Sequence, residues 1–312
     1  MGRTRRAWLL DAVQQAASMV PDWRDAAAYA ELHLADRATL AWEWLRRSPA
    51  YRTAADQARS AEHSGVWPGS PRRWGLVGFE DFRLGAPLAR PLWSAADHSP
   101  VLRAVAAAAE DGVPAFEFAA LGGLLTALPA AGQGEHLLLS DGWRTLRIDL
   151  EEGSSAGGPV RLRFYLDAPA DFAGTLLALR RFAALWRAGR FCGPLNAPEP
   201  RARRWVALLR TSDALAAGAD QRTIAAALLS PVARDASWRA IAPSLRLQAQ
   251  RLVRDARAMA DGGHRALLGR AQPDPNFRLE SDRAQFRASA SRGLGATSSA
   301  RSPIPARRGR HG

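Results

Sequence analysis

Two kinds of apolar periodicity divide this chain, and they fix its fold class before any motif is considered. In the middle, apolar residues fall on alternate positions. Leu146, Ile148 and Leu150 alternate with Arg147 and Asp149, and Val160, Leu162, Phe164 and Leu166 alternate with Arg161, Arg163 and Tyr165. That is the period of a half-buried strand. From Asp36 to Arg47, and again from Gly174 onward, the spacing becomes three or four residues, the period of an amphipathic helix. Strands gathered mid-chain with helices at both ends predict an α+β fold that is predominantly α.

The middle region predicts a small antiparallel meander. His136–Ser140 and Trp143–Leu150 flank Asp141-Gly142, a two-residue hairpin signal, and Gly153–Pro159 reads as a loop before the next strand. Leu121–Leu128 is a further candidate strand, and the exposed face of the meander is expected to be solvated and to carry arginines. Ahead of it, residues 1–20 form an extension and Pro21 opens a Trp-rich helical region. Asp36 is the expected N-cap of a helix through Arg47, Ser48-Pro49 ends that helix, and a second runs from Tyr51 to about Glu62. Trp23, Trp42, Trp44, Trp67 and Trp74 are expected to form a small aromatic core rather than a base-stacking platform. The organisation read from the chain is a helical region at 21–82, a β-rich region at 83–170, a helical domain at 171–262 and a disordered basic tail at 263–312.

Charge narrows the class of partner. The 312 residues carry 43 basic against 30 acidic side chains, a net +13, and every basic residue is arginine. GC-rich codon usage accounts for arginine in place of lysine, but not for the excess, which points to a polyanion. Cys192 is the single cysteine, so no intrachain disulfide forms. The six histidines show no metal-ligand spacing, no G-x-S-x-G or P-loop occurs, and the acidic pairs Glu80-Asp81 and Glu151-Glu152 are adjacent, so their side chains diverge. The sequence therefore points away from an enzyme and calls for neither cofactor nor metal. The apolar run Ala7–Leu10 is too short for a signal peptide, and no run approaches the ~18 residues of a membrane span. A cytoplasmic, nucleoid-associated protein with no membrane partner is the expectation.

Function is carried by the last helical region. Three helices are expected at Arg201–Ala217, Gln221–Leu229 and Ser244–Ala260, with Asp220 capping the second and Ser244 the third. The second, DQRTIAAALL, is rich in alanine, which lets a partner helix cross closely. In the third, SLRLQAQRLVRDARAMA, steps of ~100° place Leu245, Ala249, Leu252, Ala256 and Met259 on one stripe and Arg246, Gln250, Arg254 and Arg257 on another. Such a pattern is either a solvated face or a DNA-reading one. Residues 201–261 hold eleven Arg against five Asp, which favours DNA. Arginine pairs bidentately with guanine and glutamine with adenine, and both hold phosphate. Arg246, Leu247 and Gln250, nearer the helix start, are candidate base readers. Arg251, Arg254 and Arg257 are candidate phosphate contacts, and Gln221 and Arg222 can donate to the DNA backbone. The link Ser230–Pro243 is far longer than the usual turn and is expected to hold a short extra helix near Trp238, so this is a variant helix-turn-helix.

These stretches are familiar. EPRARRWVALLRTSDALAAG, DQRTIAAALL and SLRLQAQRLVRDARAMADGGHRALL resemble the C-terminal domain of RovC-like bacterial regulators, a type VI secretion transcription factor DNA-binding domain. PDWRDAAAYAELHLADRATLAWEWLRRSPAYR, with RRWGLVGFEDFRLGAPLARPLW beyond it, is similar to a transcriptional-regulator-like domain often fused ahead of it. The same arrangement occurs in FseA-like activators of integrative and conjugative elements. The resemblance implies double-stranded DNA binding, control of a secretion or mobile-element locus and self-association into a homo-oligomer; in this two-domain reading the N-terminal half is expected to recruit a partner such as RNA polymerase or a co-regulator, to sense a signal or to drive self-association. The competing reading is a protein-interaction or adaptor module with nonspecific nucleic-acid affinity.

Overall fold

A computed structural model describes residues 20–64, 70–110, 112, 115–130, 132–166 and 172–269. In chain order they form α1 (Arg37–Leu45), α2 (Pro49–Ser64), β1 (Val101–Ala108), β2 (Leu125–Pro129), β3 (Glu135–Ser140), β4 (Thr145–Glu152), β5 (Val160–Tyr165), α3 (Phe172–Ala188), α4 (Ala202–Ala216), α5 (Gln221–Leu228), α6 (Trp238–Ile241) and α7 (Pro243–Ala260), with short 3-10 turns between them. The fold is α+β.

Local chemistry explains how the first helices begin. Asp22 and Asp25 accept the backbone N–H groups of Arg24 and Ala27, tight turns that compete with an α-helical ladder. Ala27–Leu34, in the helical region expected after Pro21, is accordingly a 3-10 helix. Asp36 then caps α1, its Oδ1 accepting from the Thr39 amide at 2.8 Å. Its Oδ2 accepts from the backbone N–H and the hydroxyl of Thr145, each at 2.6 Å, so one carboxylate both starts α1 and pins it to β4. Burial pushes the Asp36 carboxyl above the usual range, against the lowering effect of these hydrogen bonds. Trp42 and Trp44 are buried with Tyr51, Trp74 packs at the edge of the same cluster, and Trp23 is buried elsewhere, against Ala214 and Ile224. Trp67 lies outside the described residues.

The sheet runs in the order β2-β3-β4-β1-β5. It is mixed, not a simple meander, because β1 pairs parallel with β4 and separates it from β5. Strand β1 (VLRAVAAA) shows little alternation because alanine takes the inward positions 104 and 106, and alanine carries a weak β preference. Part of the expected strand at Leu121–Leu128 is instead a 3-10 segment, Phe118–Leu124, where Gly122 turns at φ +52°. The β3–β4 hairpin also differs. Ser140 pairs with Thr145, leaving a four-residue loop held by Asp141 Oδ1, which accepts from the Trp143 and Arg144 amides. Gly142 is required there: its φ is +95°, and a Cβ would stand 2.2 Å from the Pro87 carbonyl oxygen.

Both faces of the central strands are covered. Ala178, Phe182 and Leu185 of α3 pack with Leu102, Ala104, Ile148 and Leu150 on one face. On the other, the expected solvated arginine face is closed at Arg147, which is 1% exposed. Its guanidinium donates to the Trp93 carbonyl at 3.1 Å, the Leu137 carbonyl at 2.8 Å and Asp149 Oδ1 at 2.8 Å. Desolvation holds that guanidinium below its ordinary range.

The largest core among the described residues joins the N-terminal helices to α4 and α7. Tyr29, Trp42, Trp44, Tyr51, Leu76 and Trp93 pack with Trp205, Val206, Leu208 and Leu209 of α4, with Ala256 of α7, and with Leu267 and Leu268. Order therefore continues past Gly262, where the tail was expected to begin. Gly263–Leu267 is a 3-10 turn whose closing leucines complete this core. Residues 270–312 lie outside the described residues. At the centre of the seam, Arg47 donates from Nε and Nη2 to Asp213 at 2.8 and 3.1 Å, and from Nη1 to Glu43 at 2.6 Å. Tyr29 Oη donates to Asp213 at 2.7 Å, and Arg46 Nε to Glu43 at 2.8 Å.

Candidate nucleic-acid interface

The candidate interface is built by α5 and α7. Helix α5 starts where Asp220 Oδ1 accepts from the Thr223 amide at 2.8 Å, and the Thr223 hydroxyl and amide hold that carboxyl below its usual range. Its inward positions Ile224 and Ala225 are fully buried. Ala225 shares a buried cluster with Ala249 and Leu245 of α7, and its small side chain suits a close crossing of the two helices. The long link between them is folded. Ser230 Oγ accepts from the Val232 amide to start the turn Pro231–Arg234, and α6 follows. Trp238 is buried against Ala225, Ala233, Leu245 and Ala249, and this indole fixes where α7 begins. Ser244 is not the N-cap of α7. That place falls to Ala242, and Pro243 opens the helix at a position where the N–H it lacks would have had no partner.

Helix α7 divides as its periodicity requires. Leu245, Ala249 and Ala256 are buried and Leu252 and Met259 half-buried, while Arg246, Leu247, Gln250, Arg251, Arg254 and Arg257 are exposed. Among the described residues, Arg246, Arg251 and Arg257 have no carboxylate within ion-pair distance. The first turn of α7 contains no acidic residue, so the positive end of the helix dipole adds to Arg246.

The geometry groups these residues unequally. Gln221, Gln250, Arg254 and Arg257 line one groove of about 470 Å³, with Asp261 also in its wall. Gln221 is half-buried, and its Nε2 is itself buried with no hydrogen-bond partner among the described residues. Arg222 lies elsewhere, in a second groove of about 790 Å³ with Trp23, Arg24, Thr223 and Arg234. Arg246, Leu247 and Arg251 stand on the exposed face of α7 outside the first groove. Sequence reasoning passed over Asp255 and Arg204. Asp255 Oδ1 accepts from Arg254 Nε and Nη2 at 3.1 and 2.9 Å, and its Oδ2 from Arg204 Nη2 of α4 at 2.7 Å. A signal for Arg204 was present: Arg201, Arg203 and Arg204 crowd the start of α4, where the helix dipole disfavours cations. Among the described residues, no group of three His, Cys, Asp or Glu is placed to hold a metal ion, and no helix is long and apolar enough to cross a membrane.

A surface of exposed arginine and glutamine on a helix anchored by its opposite face is the kind that nucleic-acid-binding domains present. Residues 168–269 match the family model of the RovC DNA-binding domain, described as "T6SS, Transcription factor, DNA binding domain". Residues 22–77 match that of a "Proteobacterial transcriptional regulator-like domain". The two matches follow one another along the chain, a transcriptional regulator-like domain and then a transcription-factor DNA-binding domain, an order that suggests a DNA-binding transcriptional regulator. No curated protein and no solved structure matches the chain.

Proposed function

We propose that this protein is a sequence-specific regulator that reads double-stranded DNA through α7, with α5 beside it as the first helix of a variant helix-turn-helix. The observation that carries this is the groove in which Gln250, Arg254 and Arg257 of α7 meet Gln221 at the start of α5. Arg254 and Arg257 hold phosphates, Gln221 donates to the backbone, and Gln250 reaches base edges. Arg246, Leu247, Arg251 and Arg222 extend the contact on either side. The description of the matched DNA-binding family favours a type VI secretion locus as the target; a mobile-element locus, a cytoplasmic, nucleoid-bound location and action with RNA polymerase or a co-regulator belong to the same proposal.

The test is a salt series on the full chain with a labelled duplex. Each phosphate contact contributes about −0.9 to the slope of log K against log salt. Replacing Arg254 and Arg257 together by Ala should flatten the slope by roughly two units between about 50 and 200 mM salt, at every DNA sequence. Gln250→Ala should instead change which sequences are preferred. A double variant that binds duplex DNA like the parent across the series sinks the reading.

A further inference from the structure

We infer that Arg204 of α4 belongs to the same phosphate-binding surface as Arg254, and that Asp255 is the internal anion both guanidiniums hold until a DNA phosphate replaces it. The inference rests on the reading of α7 as the DNA face. One carboxylate serves two cations from two helices: Oδ2 takes Arg204 at 2.7 Å, and Oδ1 takes Arg254 at 2.9 and 3.1 Å. Both oxygens are used, one on each guanidinium, so the pair of arginines already forms a site for an anion with two acceptor oxygens. A phosphodiester presents the same pair of acceptors.

Exposure decides whether the exchange is open. The Arg204 and Arg254 side chains are 65% and 72% exposed, and Asp255 is 24% exposed. Pairs this exposed contribute little net stability, because water competes for both partners. The guanidiniums therefore give up the carboxylate at small cost, and each keeps further N–H donors that Asp255 does not engage. Placement supports the same conclusion. Arg201, Arg203 and Arg204 stand at the N-terminal end of α4 with no acidic residue in its first turn. Helix stability disfavours cations there, whereas a polyanion lying along α7 favours them. The carboxylate also has a cost for binding: it neutralises part of the surface that DNA must use, and so holds down affinity for every sequence alike.

The test compares Arg204→Ala and Asp255→Asn in the full chain, by anisotropy on a labelled duplex over a salt series, with thermal unfolding followed in parallel. Arg204→Ala should weaken binding about two- to five-fold and flatten the salt slope by about one unit. Asp255→Asn, which keeps shape and an acceptor oxygen but removes the charge, should tighten binding about two- to five-fold. Arg204→Lys should recover most of the slope. The opposite signs are decisive. If the ion pair served only to join α4 to α7, both variants would break the same link and shift affinity the same way. Shifts of one sign, or no change in either variant, overturn the inference. If that happens while the Arg254, Arg257 double variant still loses DNA affinity, the reading of α7 survives. If all variants bind like the parent, both fall.

Discussion

Replacing Asp213 by Ala tests what joins α4 to the N-terminal helices. Asp213 sits on α4, 5% exposed, and accepts two hydrogen bonds from Arg47 of the segment after α1 and a third from Tyr29. The Arg47 side chain is 9% exposed, and its remaining ion-pair partner is Glu43, 3% exposed. Glu43 is already engaged by Arg46 at 2.8 Å. Two arginines and two carboxylates thus balance in a buried space, and the paired cations hold the Glu43 carboxyl below its usual range although burial alone would raise it. Removing Asp213 leaves one uncompensated buried cation and a Tyr29 hydroxyl that loses its carboxylate partner. Breaking one side of such a pair costs about 3–5 kcal/mol. Asp56→Ala, which removes an exposed pair with Arg83 at 3.1 Å, should cost only about 0–1 kcal/mol. The assay is urea unfolding of the full chain, followed by tryptophan fluorescence and far-ultraviolet circular dichroism. Joint replacement of Arg47 by Met and Asp213 by Leu removes both charges, and should recover most of the loss, since a buried pair replaced by apolar groups is often close to neutral. A loss below about 1 kcal/mol for Asp213→Ala would show that water reaches Arg47 freely, and the account of this seam would be wrong.

Two further outcomes follow from the structure. His98 is held down to about 4, chiefly by burial and then by the neighbouring Arg147, against a hydrogen bond to the Leu268 backbone that raises it. Its folded pKa is depressed, so its contribution is complete above the unfolded value near 6.5 and is lost as pH falls towards 4, at up to about 1.4 kcal/mol per pH unit. Unfolding measured from pH 7 to 4 should show a steeper decline in the parent than in His98→Gln. That difference separates His98 from Asp36 and Glu80, whose raised carboxyls act with the opposite sign. At the crossing of α5 and α7, Ala249→Leu places an isobutyl group against Ala225 and Trp238, and should destabilise the chain by about 1–3 kcal/mol in thermal unfolding. Unchanged stability would mean the two helices do not meet as described.

The helices of the candidate site were legible because their signals are local. Asp220 before an alanine-rich stripe, and Leu245, Ala249 and Ala256 at helical spacing, depend only on neighbours within two turns. The sheet was legible only in part. Strand β1 carries its inward positions on alanine, and its parallel pairing with β4 joins residues 101–105 to 147–152, a relation no window of sequence contains. Arg147 was assigned to a solvated face because alternation reveals two faces but not what covers each of them. What covers this one is the Trp93 segment, through a backbone carbonyl that carries no residue-specific signal. Asp255 was passed over for a similar reason: its partner Arg204 is fifty-one residues away on another helix.

The shared core also bears on how such a regulator works. Helix α4 faces two ways. Trp205, Val206 and Leu209 pack with Trp42, Trp44 and Tyr51, while Ala214 and Leu215, further along the same helix, meet Ile224, Leu252 and Val253 beneath the candidate DNA face. Helix α7 joins the same seam through Ala256, one turn beyond Leu252. A change in the N-terminal region that shifts α1 by even a fraction of a side chain must therefore be absorbed by α4, because close-packed interiors have few voids in which to lose it. Arg204 and Asp255 each stand beside a residue of this core, Trp205 on α4 and Ala256 on α7, so the spacing of the proposed phosphate contacts depends on the same packing. The candidate DNA face and the N-terminal helices therefore share one continuous packing through α4, with no linker between them in the described residues.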